Sequence, residues 1–209
     1  MQQALRDFES SGNQLPGEVE AMWLTYGNAR TDLPTLEVDR KLPLYRLIKF
    51  IWEGIGCAKA QHPAHAMRCR RQPVSDAYQT MKAIIYKGFQ AGCDNSLSWQ
   101  ERALAFGSAL HTLQDSYCTA HARRIDNGDP HSPIIDMYTF PSWQHPISTY
   151  RDSVWQDREK TSFKPEAAAA ITATVSALRI FSEQSAQKVT DFIEQYLPFR
   201  EDIAQQFHP

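Results

Sequence analysis

The sequence predicts an all-α protein, a single irregular helix bundle spanning residues 1–209 with ligand-bearing loops. Three observations point there. Apolar residues recur at three- and four-residue spacing in most segments, no segment sustains the alternation of a half-buried strand, and there are no internal repeats or low-complexity tracts. At 42% hydrophobic residues over 209 positions the chain is too apolar for disorder and long enough to bury a core.

The elements follow in order. Residues 1–14 (MQQALRDFESSGNQ) lack the charged-then-apolar pattern of a secretory leader. With no apolar window near the roughly 20 residues of a membrane span, the expectation is a chain made in soluble form, cytoplasmic or exported by a leaderless route. After Pro16, Gly17–Leu24 reads as a short helix ending near Gly27 and Asn28. A loop over 28–43 carries Asp32, Pro34 and Pro43; Leu44, Leu47, Ile48, Ile51 and Trp52 then recur at helical spacing. Residues 58–73 read as a loop bearing His62, His65 and a run of arginines.

A helix over 74–91, opened by Ser75, places Tyr78, Met81, Ile84, Ile85 and Phe89 on its apolar side. Ser98 with Glu101 makes a capping box for a long helix over 99–120, whose buried stripe is Leu104, Phe106, Ala109, Leu110 and Leu113. Residues 125–146, rich in Asp, Pro, Gly and Asn, read as a long loop. Shorter helical signals run from Ile147 to about Asp157, an Ala-rich helix spans 165–183, and a last helix covers 184–206.

Charge and cysteines narrow the function classes. A net charge of −2 offers no global basic field for nucleic acid or an anionic membrane. Cys57, Cys69, Cys93 and Cys118 include no CxxC pair, so they read as core thiols rather than a zinc ribbon or a disulfide scaffold.

The histidines carry the chemistry. Six of the seven lie between residues 62 and 145. In LHTLQDSYCTAH, His111 and Asp115 are four apart, so their side chains converge on one helical face. On a continuous helix His121 would stand roughly 80° away and about 15 Å along the axis. It can then join the pair at one ion only if the helix breaks, but it can serve a second metal next door. Imidazole and carboxylate suit zinc. One site would take His111, Asp115 and a histidine of the 62–65 loop; a second would take His121, His145 and a carboxylate such as Asp152.

The segment FGSALHTLQDSYCTAH, with HAMR upstream and WQH downstream, resembles the zinc-dependent phospholipase C and P1/S1 nuclease superfamily. His111, Asp115 and His121 reproduce its H-x-x-x-D pattern with a histidine six residues further on, and the similarity runs from about Trp23 to Asp152. The resemblance implies a first zinc held by His65, His111 and Asp115, with His62 as the alternative upstream ligand. It implies a second zinc held by His121 with a later histidine and an acid about four residues beyond. His145 matches that histidine, but Thr149 stands at the +4 position and Asp152 is the looser match. His131 with Asp136 is the rival pair. Family members hold a third zinc with an N-terminal Trp amine and a nearby histidine; this sequence begins with Met1 and has no histidine before residue 62, leaving Glu18 or Glu20 as substitutes.

The same resemblance implies the chemistry. Two or three zinc ions would lower the pKa of bound water from about 15.7 towards 7. YGNARTDLP resembles the stretch bearing the family's early catalytic or ligating Asp, which makes Asp32 a general-base or ligand candidate alongside Asp115. Arg68, Arg70 and Arg71 beside His65, and Arg123 and Arg124 after His121, are candidates to hold phosphate. The leading expectation is a phospholipase C-like phosphodiesterase acting on a phospholipid head group at a membrane surface. A single-strand nuclease is the rival, with Trp23, Trp52, Trp143 and Tyr138 as stacking candidates. A non-catalytic metal-binding helical domain is the third.

Overall fold

The computed structural model of the chain describes residues 1–15, 18–30, 63–69, 71–139 and 162–207. The helices expected over 44–52 and 147–157 lie outside them. Among the described residues seven α-helices and one small two-stranded sheet share a hydrophobic cluster running from Ala4 to Ala204. No helix among them is long and apolar enough to cross a membrane.

Helix α1 (Gln2–Ser10) buries Ala4 and Phe8, one turn apart on a single face. This helix lies in the segment that lacks a secretory leader's pattern, and it is not among the expected elements. It stops before Gly12, whose φ of 82° is left-handed backbone. Helix α2 (Glu18–Arg30) follows and runs past the expected end at Gly27 and Asn28. Helix α3 (Val74–Gly92) buries Tyr78, Met81, Ile85 and Phe89 as expected, whereas Ile84 is only half-buried. Its cap position is Pro73, which offers no side-chain bond; Ser75 sits inside the first turn.

Helix α4 (Trp99–Asp115) begins where the capping box puts it. Ser98 Oγ accepts from the Glu101 amide at 3.3 Å, and the Glu101 carboxylate accepts from the Ser98 amide at 2.9 Å. It ends five residues earlier than expected. Asp115, Ser116, Tyr117, Cys118 and Thr119 all belong to the weaker helix formers, and the chain leaves the helix through tight turns instead. This helix is the centre of the bundle, with α2, α3 and α5 packed on it. Two glycines permit the α2–α4 crossing: a Cβ on Gly27 would meet the Leu104 carbonyl oxygen at 2.5 Å, and one on Gly107 would collide with the Leu24 carbonyl.

Strands β1 (Ala122–Arg124) and β2 (Ile134–Met137) form an antiparallel ribbon, β2 within the expected loop over 125–146 and β1 just before it, with Ala122 opposite Met137, Arg123 opposite Asp136 and a register shift before Arg124. At three and four residues they are too short to leave a periodic signature.

Helix α5 (Pro165–Glu183) matches its expected span, opened by Pro165 in its first turn and closed by left-handed Gln184. The single last helix expected over 184–206 is two, α6 (Ala186–Tyr196) and α7 (Glu201–Phe207). Pro198 has no amide to donate and disfavours helical backbone at Leu197. The freed chain pairs with β2 instead: Ile134 N donates to Pro198 O at 2.9 Å and Arg200 N to Ile134 O at 3.1 Å. Cys93 and Cys118 are buried and Cys69 is half-buried, whereas Cys57 lies outside the described residues.

Candidate metal centre

The site forms at the C-terminal end of α4. His111 and Asp115, one turn apart, put His111 Nε2 3.0 Å from Asp115 Oδ2. A 3-10 turn (Pro63–His65) delivers the third group. Thr112 Oγ1 donates to Ala64 O at 2.8 Å, tying that turn to α4 beside His111. Ala66, fully buried, then takes left-handed backbone at φ 49° and turns the chain away. His65 Nδ1 consequently lies 3.0 Å from the same Asp115 Oδ2 and 3.1 Å from His111 Nε2. The two imidazole rings meet edge to face, 5.0 Å between centroids.

This triangle is hard to satisfy with protons. Each ring nitrogen has in its plane either one N–H or one lone pair, directed at a single partner. If both nitrogens donate to Oδ2, no proton is left for the 3.1 Å edge between them; if one donates to the other, that donor or the acceptor is left without a proton for the carboxylate. A cation bound by all three satisfies every corner at once. Ligands about 2.0–2.1 Å from a tetrahedral ion stand roughly 3.3 Å apart, close to the observed edges. His65, His111 and Asp115 could therefore hold a metal ion, and their donor set suits one.

His121 reaches the same carboxylate by another route. Cys118 N donates to Asp115 O at 3.0 Å and His121 N to Cys118 O at 2.9 Å, two successive turns that fold the chain back. His121 Nδ1 ends 3.3 Å from Asp115 Oδ2, in a buried position. The helix breaks after Asp115, so His121 does not stand about 15 Å along the axis, as a helix continuing to 120 would place it. His121 approaches Asp115 while standing outside the close group formed by His65, His111 and Asp115. Tyr138, just past β2, holds both arms: its amide donates to His121 O at 2.8 Å, and its carbonyl accepts from Arg68 N at 3.0 Å.

Burial works to raise the Asp115 carboxyl, but the charge of His121 and hydrogen bonds from His111, His121 and His65 outweigh it. They hold the group well below the usual carboxylate range. Asp115 is thus a buried carboxylate, the form a ligand needs.

The remaining candidates divide three ways. Asp32, His62, Arg70, His145 and Asp152 lie outside the described residues, as do Trp52 and Trp143. His131 is exposed, with Nδ1 3.3 Å from Gln195 O and its ring against Tyr196; its rival partner Asp136 is buried, one carboxylate oxygen accepting from the Met137 amide. Arg123 and Arg71 are exposed. Arg68 gives its Nε to Met137 O at 2.7 Å and one terminal nitrogen to Gln72 O at 3.1 Å. Arg124 is only 3% exposed, with its guanidinium on backbone carbonyls, which corrects its expected role as a phosphate ligand. The sequence reading missed Thr112 and Ala66 as positioning residues.

Comparison with protein-family models, curated proteins and solved structures finds no match to this chain.

Proposed function

We propose that the chain is a zinc-dependent phosphodiester hydrolase that cleaves a phospholipid head group in the manner of the phospholipase C and P1/S1 nuclease superfamily. The observation that carries this reading is the meeting of His65, His111 and Asp115 with edges of 3.0–3.1 Å. The spacing His111, Asp115, His121 supports it, because the pattern that suggests the superfamily is the pattern whose first two members converge here. In this reading His65 Nδ1, His111 Nε2 and Asp115 Oδ2 hold one zinc, and His121 with His145 and Asp152 supplies a second. A third ion would fall to Asp32 or the acids of α2.

Zinc bound there would acidify a water and polarise a phosphoryl oxygen. The chain's own part is to keep Asp115 ionised without bulk water, to fix both imidazoles by packing and backbone tethers, and to leave His65, a quarter exposed, facing the solvent side. Asp32 is assigned as the group that orients or deprotonates the attacking water. Arg123, exposed on β1 two residues after His121, is the arginine of that pair to which this reading gives the phosphate.

The test combines metal content with substrate. Zinc-loaded protein should hydrolyse phosphatidylcholine vesicles, and His111→Ala and Asp115→Asn should each lower zinc affinity more than about 100-fold and bring hydrolysis to background. Cleavage of single-stranded DNA without lipid hydrolysis would transfer the reading to the nuclease branch. Zinc retained with no hydrolysis of either would leave a binding domain. Full zinc content in both variants would overturn the site itself.

A further inference from the structure

We propose that Arg124 is a positioning residue for the metal centre, acting by fastening the turns that bring His121 back to Asp115. This role rests on reading His65, His111 and Asp115 as metal ligands.

Arg124 lies on β1, three residues after His121, and is buried. Its Nε donates to Ser116 O at 3.1 Å, and one terminal nitrogen donates to Ser116 Oγ at 3.2 Å. The other donates to Ser132 O at 2.6 Å, and both terminal nitrogens reach Tyr196 O, at 3.3 and 3.4 Å. The guanidinium carbon stands 3.8 Å over the Tyr117 ring. Tyr117 in turn donates its hydroxyl to Pro130 O at 2.6 Å, with Tyr196 O 3.2 Å away. One planar fork therefore joins the first residue after Asp115 to the β1–β2 loop and to the end of α6.

The alternative is that the guanidinium only glues the core. Two features argue for the positioning role. First, two of the five bonds and the ring contact fall on Ser116 and Tyr117, where the chain leaves α4 between one metal ligand and His121, and the other three anchor that point to Ser132 and Tyr196. Ser116 Oγ also donates to Leu113 O at 2.7 Å, so the fork sets the direction in which the helix ends. Second, a buried cation costs desolvation that an apolar side chain of like volume avoids. What arginine adds is the fixed geometry of five N–H groups, which lysine cannot reproduce. With the fork in place, Asp115 Oδ2 meets His111 from within the helix and His121 from beyond it. Without it, the turns can slide and the carboxylate loses its aim.

The experiment uses the full chain titrated with Co²⁺, reading both affinity and the visible d–d spectrum, which reports coordination geometry. Arg124→Lys and Ser116→Ala are compared with Phe89→Leu. Phe89 stacks on Phe106, about 13 Å along α4 from Asp115, so its loss destabilises the core away from the turns. The expected result is that Arg124→Lys weakens Co²⁺ binding roughly 10- to 100-fold with a changed spectrum. Ser116→Ala should move both in the same direction by less, and Phe89→Leu should lower Tm while leaving both readings as in the wild type. If Arg124→Lys does not fold by far-UV circular dichroism, Ser116→Ala decides. Wild-type affinity and spectrum in the folded turn variants would overturn the role, as would equal weakening by Phe89→Leu. Failure of the wild type to bind Co²⁺ at all would overturn the metal reading beneath it, and the role with it.

Discussion

At Asp115 a single carboxylate oxygen stands 3.0–3.3 Å from nitrogens of three histidines that come from three different stretches of chain. Reasoning from residues alone fixed one of those neighbours and narrowed a second to one of two histidines. His111 follows from the four-residue helical repeat, which places its Cβ over that of Asp115 whatever the rest of the fold does. His65 entered as one of two upstream histidines, separated on resemblance, because a contact across 50 residues depends on how a loop docks. The left-handed turn at Ala66 fixes that docking. Left-handed backbone costs a non-glycine residue roughly 1–3 kcal/mol, and the buried methyl leaves no room for growth. Ala66→Gly should therefore hold stability within about 1 kcal/mol of wild type. Ala66→Val should lose at least about 2 kcal/mol, by urea unfolding, and release zinc because His65 is turned aside. Equal stability of the two variants would show that the turn does not constrain His65.

Among the elements, the helices with a local start signal were the legible ones. The Ser98–Glu101 box opened α4, Pro165 opened α5, and the spacing of Tyr78, Met81, Ile85 and Phe89 gave the face of α3. Ends were harder, since α4 stops at Asp115 on a run of weak helix formers without a glycine or proline to mark it. The ribbon Ala122–Arg124 with Ile134–Met137 left no pattern because its pairing is too short and its second strand is buried on both faces. Close crossing of α2 and α4 was equally silent, as a glycine in a helix does not announce its neighbour. That crossing yields a signed prediction. Propensity alone would make Gly107→Ala stabilising by about 1 kcal/mol, but the added methyl strikes the backbone of Leu24, which cannot rotate away. Overpacking of this kind costs about 1–3 kcal/mol, so thermal unfolding should show a net loss. Gln100→Ala, exposed on the same helix, should stay within roughly 0.5 kcal/mol. A stabilised Gly107→Ala would mean that the two helices separate at little cost.

For the whole molecule, the all-α expectation holds for the described residues apart from one small ribbon, and the ribbon is what the site depends on. Helix α4 lies at the centre with α2, α3 and α5 packed around it. The 3-10 turn, the reversed turns after Asp115 and the chain beyond β2 gather at that end, and Tyr138 links two of them. Bundle and site are thus one construction: the packing that buries α4 also removes water from Asp115 and lets a local cluster of imidazoles keep it charged. Helical periodicity alone could place the bundle, but long-range docking had to assemble the site. The central claim is that His65, His111 and Asp115 hold one zinc ion. The direct test is an anomalous difference map recorded at the zinc edge from crystals grown with zinc. The expected result is a peak about 2.0–2.2 Å from His65 Nδ1, His111 Nε2 and Asp115 Oδ2 together. A map with no peak among these three atoms, or with zinc held by other residues in their place, would contradict it.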